Sequence, residues 1–207
     1  MRYDTFRYLF PNRPEQAVPI SNLVKYEVTN DYIAEPKLNG SCCLIFIGDN
    51  KYKIYNRHRE QMRTKISIDT IDKLKLSNKY WVWQGEYMNK SKLLDGVNIN
   101  HQFILHDCLV ADGNILTGKN VLERYEYIKQ LGFKKGSTYL ENITDQLKAV
   151  KTFDKNFSDI FHSMNKDTAL EGLVLKNINI TMMNPYNQLT NGYSSLKFRK
   201  AEKNYRY

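Results

Sequence analysis

The chain has 207 residues, of which 42% are hydrophobic and 13% aromatic. That is enough apolar material for a buried core, and it excludes an intrinsically disordered protein. Its 31 basic residues against 22 acidic ones leave a formal net charge of +9, which directs the search to a polyanionic partner such as nucleic acid without deciding for one. No long uncharged apolar run offers a membrane span or the core of a signal peptide. Cys42, Cys43 and Cys108 form no C-x-x-C pair, and the adjacent Cys42 and Cys43 sit in an apolar run where a free thiol packs as a small hydrophobe. His101, His106 and Cys108 are too loosely spaced for zinc. The pattern reads as a chain of a reducing, cytoplasmic compartment with neither disulfides nor structural zinc.

Taken in chain order, residues 1–20 carry Pro11, Pro14 and Pro19 and are expected to form an extended arm over the domain. A strand is expected to end at Glu35-Pro36-Lys37 and turn through Leu38-Asn39-Gly40 into the run 42–47. Gly48-Asp49-Asn50 then closes a hairpin onto 51–55. The runs 80–87 and 103–110 read as strands, with Trp81 and Trp83 alternating onto one core-facing side, and Ala111-Asp112-Gly113-Asn114 makes a second hairpin turn. Asn120 is the predicted cap of a helix over 121–131, with Glu123 three residues on and Gly132 as its stop. Leu122, Tyr125, Ile128 and Leu131 are its expected core face, and Arg124 reads as a structural ion-pair partner. Asp154 is predicted to cap a further helix that buries Phe157, Ile160, Phe161 and Met164. Residues 171–176 and 196–200 read as late strands. Hairpin-paired strands outnumber helices, so the class is α+β, mainly antiparallel sheets flanked by a few helices.

The chemistry begins at Lys37. A lysine closing a strand, followed by Asn39 and Gly40 on a tight turn, can point its amine into a cleft while Gly40 lets backbone approach a ligand. Further short motifs follow in order: Tyr55-Asn56-Arg57-His58, expected on the strand that pairs back against the Lys37 turn, then Trp83-Gln84-Gly85-Glu86-Tyr87. After these come Phe103-Ile104-Leu105-His106-Asp107, Glu171-Gly172-Leu173-Val174-Leu175-Lys176, and Ser195-Leu196-Lys197-Phe198-Arg199-Lys200. Glu86 and Glu171 stand beside glycines in apolar runs, where a buried carboxylate is costly without a partner. Lys197 and Arg199, two apart on a predicted strand, point to one face. An ordinary lysine, with a pKa of about 10.4, is only about 0.04% neutral at pH 7. Nearby cations favour its neutral, nucleophilic form and hold a triphosphate as charge develops.

From residue 35 to residue 200 this series resembles the covalent nucleotidyltransferases: ATP-dependent DNA ligases, RNA ligases and GTP-dependent mRNA capping enzymes. The resemblance implies an ATP-grasp-like nucleotidyltransferase domain in which Lys37 becomes a covalent lysyl-nucleotide. It implies that Glu35 reads the adenine amino group and that Arg57 contacts the ribose and later the 5′-phosphate of the nucleic acid. Glu86 binds the ribose hydroxyl, and His106 stands where the family usually stacks a phenylalanine on the adenine. Glu171 helps place a divalent metal, Mg²⁺ or Mn²⁺, Lys176 belongs with the nucleotide-binding residues, and Lys197 and Arg199 contact phosphate. Asn39 and Cys42 replace the aspartate and arginine that DNA ligases favour, which leans towards RNA ligases. The Glu35-Pro36-Lys37 opening and the stretch from Leu116 to Arg124 lean towards DNA ligases. The sequence ends at Tyr207, which leaves no room after Lys200 for an OB-fold domain. The expectation is therefore a compact, phage-like ligase: one domain over 1–207, monomeric, cytoplasmic (in the host, if phage-encoded). It would use ATP to join 3′-hydroxyl and 5′-phosphate ends of nicked or single-stranded RNA or DNA, with RNA slightly favoured. The alternatives are a capping guanylyltransferase and a nucleic-acid-binding module with a degenerate active site.

Overall fold

The computed structural model describes residues 18–48, 51–183 and 194–200. Helix α1 (Leu23–Glu27) precedes β1 (Tyr32–Leu38), β2 (Ser41–Gly48) and β3 (Lys51–Asn56). Helix α2 (Ile68–Lys73) leads to β4 (Trp81–Met88), the hairpin β5 (Lys92–Leu94) and β6 (Val97–Ile99), β7 (Gln102–Ala111) and β8 (Asn114–Ile115). Then come α3 (Val121–Lys129), β9 (Leu140–Asn142), β10 (Leu147–Val150), α4 (Phe157–Ser163), β11 (Leu170–Asn177) and β12 (Ser195–Arg199). The larger sheet runs β3-β2-β4-β7-β10-β9 with β8 on β7, and the smaller one runs β1-β11-β12. Every ladder between the described strands is antiparallel except that of β10 on β7. The α+β class with mainly antiparallel sheets is thus observed.

One apolar cluster joins the elements. Trp81 and Trp83 stack within it, ring centroids 5.4 Å apart, and the buried Trp83 indole N–H donates to the Leu74 carbonyl at 3.1 Å. The expected arm lies outside the described residues over 1–17, as do Asp49 and Asn50, although Gly48 pairs with Lys51 as a hairpin there requires. Among the described residues no helix is long and apolar enough to cross a membrane.

Irregularities in the ladders matter more than the ladders themselves. Opposite β4, β7 carries two extra residues: the pairing passes from Val110 to Cys108 over Leu109, and from Asp107 to Leu105 over His106. Opposite β1, β11 carries one: Lys37 pairs with Gly172 and Leu38 with Leu170, leaving Glu171 over. A bulge turns its side chain out of the strict alternation of a strand. Leu109, His106 and Glu171 all turn into the same cleft. Gly172, at φ 137°, permits the last of these, since a Cβ there would sit 2.0 Å from the Phe198 carbonyl oxygen.

Three local expectations are corrected. Arg57 lies just past β3, which pairs with β2 and not with the Lys37 turn. Leu122 is 39% exposed; the buried face of α3 is Val121, Arg124, Tyr125 and Ile128, because the inward Arg124 rotates the helix away from an all-apolar stripe. Asp154 caps nothing: α4 starts after Asn156, and its first amides, Asn156 and Phe157, donate to the Glu27 carboxylate at 2.6 and 3.0 Å. A distant carboxylate satisfies those orphan donors as well as a local cap does. The α3 start is as expected, with Asn120 and Glu123 forming a reciprocal capping box.

Arg124 reaches Asp107 with two hydrogen bonds of 2.8 Å, and a third, also 2.8 Å, goes to the Lys119 carbonyl. Burial alone would raise the Asp107 pKa; the Arg124 charge and hydrogen bonds, helped by Lys176, bring it below its ordinary value. Removing one partner of a buried pair strands the other charge. Arg124→Leu is therefore expected to cost about 3–5 kcal/mol in urea unfolding; a loss near zero would contradict a buried, mutually dependent pair.

Candidate active site

The cleft between the two sheets encloses about 550 Å³, a volume in the range of small-molecule sites. All of Glu35, Lys37, Arg57, Glu86, His106, Glu171, Lys176, Lys197 and Arg199 line it. At one end, the Lys37 amine from β1 donates a short hydrogen bond to Glu171 Oε2, and Arg199 Nε stands 3.9 Å from the same oxygen. Lys197 and Arg199 come from β12, and Arg57 from the turn after β3, where its Nε contacts His58 Nε2 at 3.0 Å. Lys37 and Arg199 therefore share one carboxylate at this end, while the Lys197 charge is felt by His106. At the other end, Lys176 Nζ is 2.7 Å from Glu35 Oε2 and donates to the His106 carbonyl at 2.9 Å.

The turn that presents Lys37 is held from three sides. The Asn39 amide donates to the Ala169 carbonyl at 2.8 Å, the Asn39 carbonyl accepts a short hydrogen bond from Lys92, and the Gly40 amide donates to Glu86 Oε1 at 3.1 Å. Gly40 is required there, because a Cβ would lie 2.8 Å from both Glu86 Cγ and the Tyr87 carbonyl oxygen. The Asn39 amide group turns towards the Thr168 carbonyl at 3.5 Å, while Cys42 lines the cleft and pairs in register with Glu86.

Burial sets the protonation of the walls. It pushes Glu86 up to about 7, against the opposing pull of Lys37 and the Gly40 amide. Burial, then the Lys176 charge, press His106 down to about 3, so its ring is neutral at ordinary pH. Burial also raises Glu35 despite Lys176. Among the described residues no group of three His, Cys, Asp or Glu forms a metal cage. Glu171, its side chain 26% exposed, could hold a cation shared with a phosphate ligand, an arrangement that suits Mg²⁺.

Sequence reasoning missed Lys92, whose grip on the turn comes from a separate hairpin, and Gln84, which is 1% exposed and lines the cleft. A polar residue inside the apolar run 81–85 was the available signal for Gln84.

No protein-family model matches the sequence, and no curated protein sequence does. Solved structures match over most of the chain. A mycobacterial DNA ligase D complexed with ATP and MES has a TM-score of 0.61 at 16% identity, over 96% of this chain and 62% of that one. The ligase domain of M. tuberculosis LigD gives 0.56 at 16% identity, over 87% and 57%. Pmar-Lig_PreS3 gives 0.59 at 18% identity, over 89% and 46%. The chain has the fold of a ligase nucleotidyltransferase domain. The likeness is one of fold, and the chain spans between 46% and 62% of the length of these structures.

A carboxyl group whose pKa rises on folding stabilises the protein below its unfolded value and loses that stabilisation as pH rises through the folded one. For Glu86 the window runs from 4.5 to about 7. Glu86→Gln is therefore expected to melt several degrees above the unsubstituted protein at pH 8, with the gap closing towards pH 5; melting curves in the absence of nucleotide measure it. A constant gap across that range would contradict a buried, proton-releasing carboxyl.

Proposed function

We propose that the cleft is the adenylyltransferase site of an ATP-dependent polynucleotide ligase. The observation that carries this reading is the pairing of Lys37 with Glu171 at the cationic end of a cleft whose other end holds buried acceptors and a neutral imidazole. The triphosphate would lie at the cationic end and the adenine at the other, with His106 stacked on the base and Glu35 facing its amino group. The free oxygen of Glu86 would take a ribose hydroxyl.

In the first step the Lys37 nitrogen attacks the α-phosphorus. A nitrogen–phosphorus bond forms, the bond to the bridging oxygen breaks, pyrophosphate leaves, and the amine loses a proton. Glu171 must release Lys37 for the lone pair to face phosphorus, and Arg199 is the cation beside it. Lys197 and Arg199 stabilise the negative charge that builds on the leaving pyrophosphate. A divalent cation would be held by the phosphates and Glu171, supplying charge neutralisation there. In the later steps AMP passes to a 5′-phosphate contacted by Arg57, and a 3′-hydroxyl displaces it. The net charge of +9 supports binding a polyanion, with affinity that falls as salt rises. RNA ends are slightly favoured over DNA ends as substrate, on Asn39 and Cys42.

Incubation with α-labelled ATP or GTP, followed by a denaturing gel, tests the reading. ATP should label the protein, and Lys37→Ala and Lys37→Arg should abolish the label while melting normally, since a guanidinium stays protonated. Labelling by GTP instead would indicate a capping enzyme, and labelling by neither a binding module. In single-turnover sealing of a pre-adenylylated nick, Arg57→Ala is expected to be slower by about tenfold or more, by loss of a charged contact. Equal rates for the variant and the unsubstituted protein, on RNA and on DNA nicks alike, would remove Arg57 from the reacting centre.

A further inference from the structure

Gln84 stands in the middle of β4, in register with Asp107 of β7. It is 1% exposed, yet neither its Oε1 nor its Nε2 has a hydrogen-bond partner. Glu35, 2% exposed, uses Oε2 on Lys176 and leaves Oε1 unpartnered. Both side chains line the cleft, beside apolar Leu109, Val121 and Met182, and Asp107 lies within electrostatic range of Glu35. Unpaired polar atoms are costly to bury. Three of them, on two side chains that line one cleft, are the mark of a ligand that brings its own donors and acceptors.

We infer that Gln84 is a base-reading residue: its Oε1 accepts from the 6-amino group of adenine while its Nε2 donates to a ring nitrogen beside it. The inference rests on the adenylyltransferase reading above and deepens it. Glutamine suits that edge because its amide presents an acceptor and a donor side by side, as adenine does in reverse. Alone, an amide could rotate and read guanine with the two atoms exchanged. The acceptor oxygen of Glu35 removes that freedom, because it would oppose the 6-oxo group of guanine. Together the two residues select a 6-amino purine.

The test is Gln84→Met, which keeps the length of the side chain and removes both polar atoms. Without nucleotide the variant should melt at or above the temperature of the unsubstituted protein, because buried unpaired groups are gone. In self-adenylylation its KM for ATP should rise about ten- to hundredfold. The unsubstituted protein should show a similar rise with purine riboside 5′-triphosphate, which lacks the 6-amino group. The variant should distinguish the two nucleotides less well than the unsubstituted protein does, the remaining difference being that of Glu35. A variant that melts lower would place the amide in the scaffold and overturn the inference, as would an unchanged KM for ATP. Absence of any adduct with the unsubstituted protein is a different failure, that of the adenylyltransferase reading itself.

Discussion

Lys37 meets Glu171 because β11 carries one more residue than β1 can pair with. In an uninterrupted ladder each strand sends alternate side chains to opposite faces. The extra residue turns Glu171 towards the Lys37 amine, and Gly172 lets the distorted strand press against β12 where no side chain would fit. Lys197 and Arg199 come from β12, so one bulge fixes Lys37, Glu171 and the strand that carries these two cations in a single three-stranded unit. The Lys200 amide, donating to the Glu171 carbonyl at 2.8 Å, ties that unit at its far end.

The larger sheet supplies what the smaller one lacks. Its own two bulges turn His106 and Leu109 into the cleft, which the charge-balanced Asp107–Arg124 pair also lines. The two sheets meet through a hydrogen bond as well as apolar packing: Lys176 of β11, ion-paired with Glu35 of the neighbouring β1, donates to the His106 carbonyl of β7. Charge is thus sorted along the cleft. The end at Lys37 and Arg199 would suit phosphates, and the other, where Lys176 is balanced by Glu35 beside a neutral imidazole and unpartnered polar atoms, would suit a heteroaromatic base. Those unpartnered atoms are the part of the protein that folding alone does not reward, which is the usual sign of a site shaped for a ligand.

Much of this was legible in the sequence. Alternating apolar runs gave the strands, the Asn120–Glu123 spacing gave the α3 cap, and every residue picked out as a site candidate lines one cleft. What was not legible is where tertiary contacts override local rules. The α4 amides are capped by Glu27, more than a hundred positions away, so Asp154 looked like the cap when none was needed. Leu122 kept a helical period that Arg124 had already claimed for the interior. The bulges at His106, Leu109 and Glu171 leave no mark in composition, because an extra residue in a strand is defined only by its partner. Gln84 could have been suspected from its place among tryptophans; that its amide is unpartnered is a property of the folded cleft.

The central claim is that the Lys37 nitrogen forms a bond to an adenylyl group. Incubation with ATP and magnesium, removal of unbound nucleotide, and peptide mapping by mass spectrometry test it directly. The account predicts a gain of one AMP on the peptide containing Lys37, reversed by added pyrophosphate. AMP found instead on Lys176, Lys197 or any other side chain would contradict it.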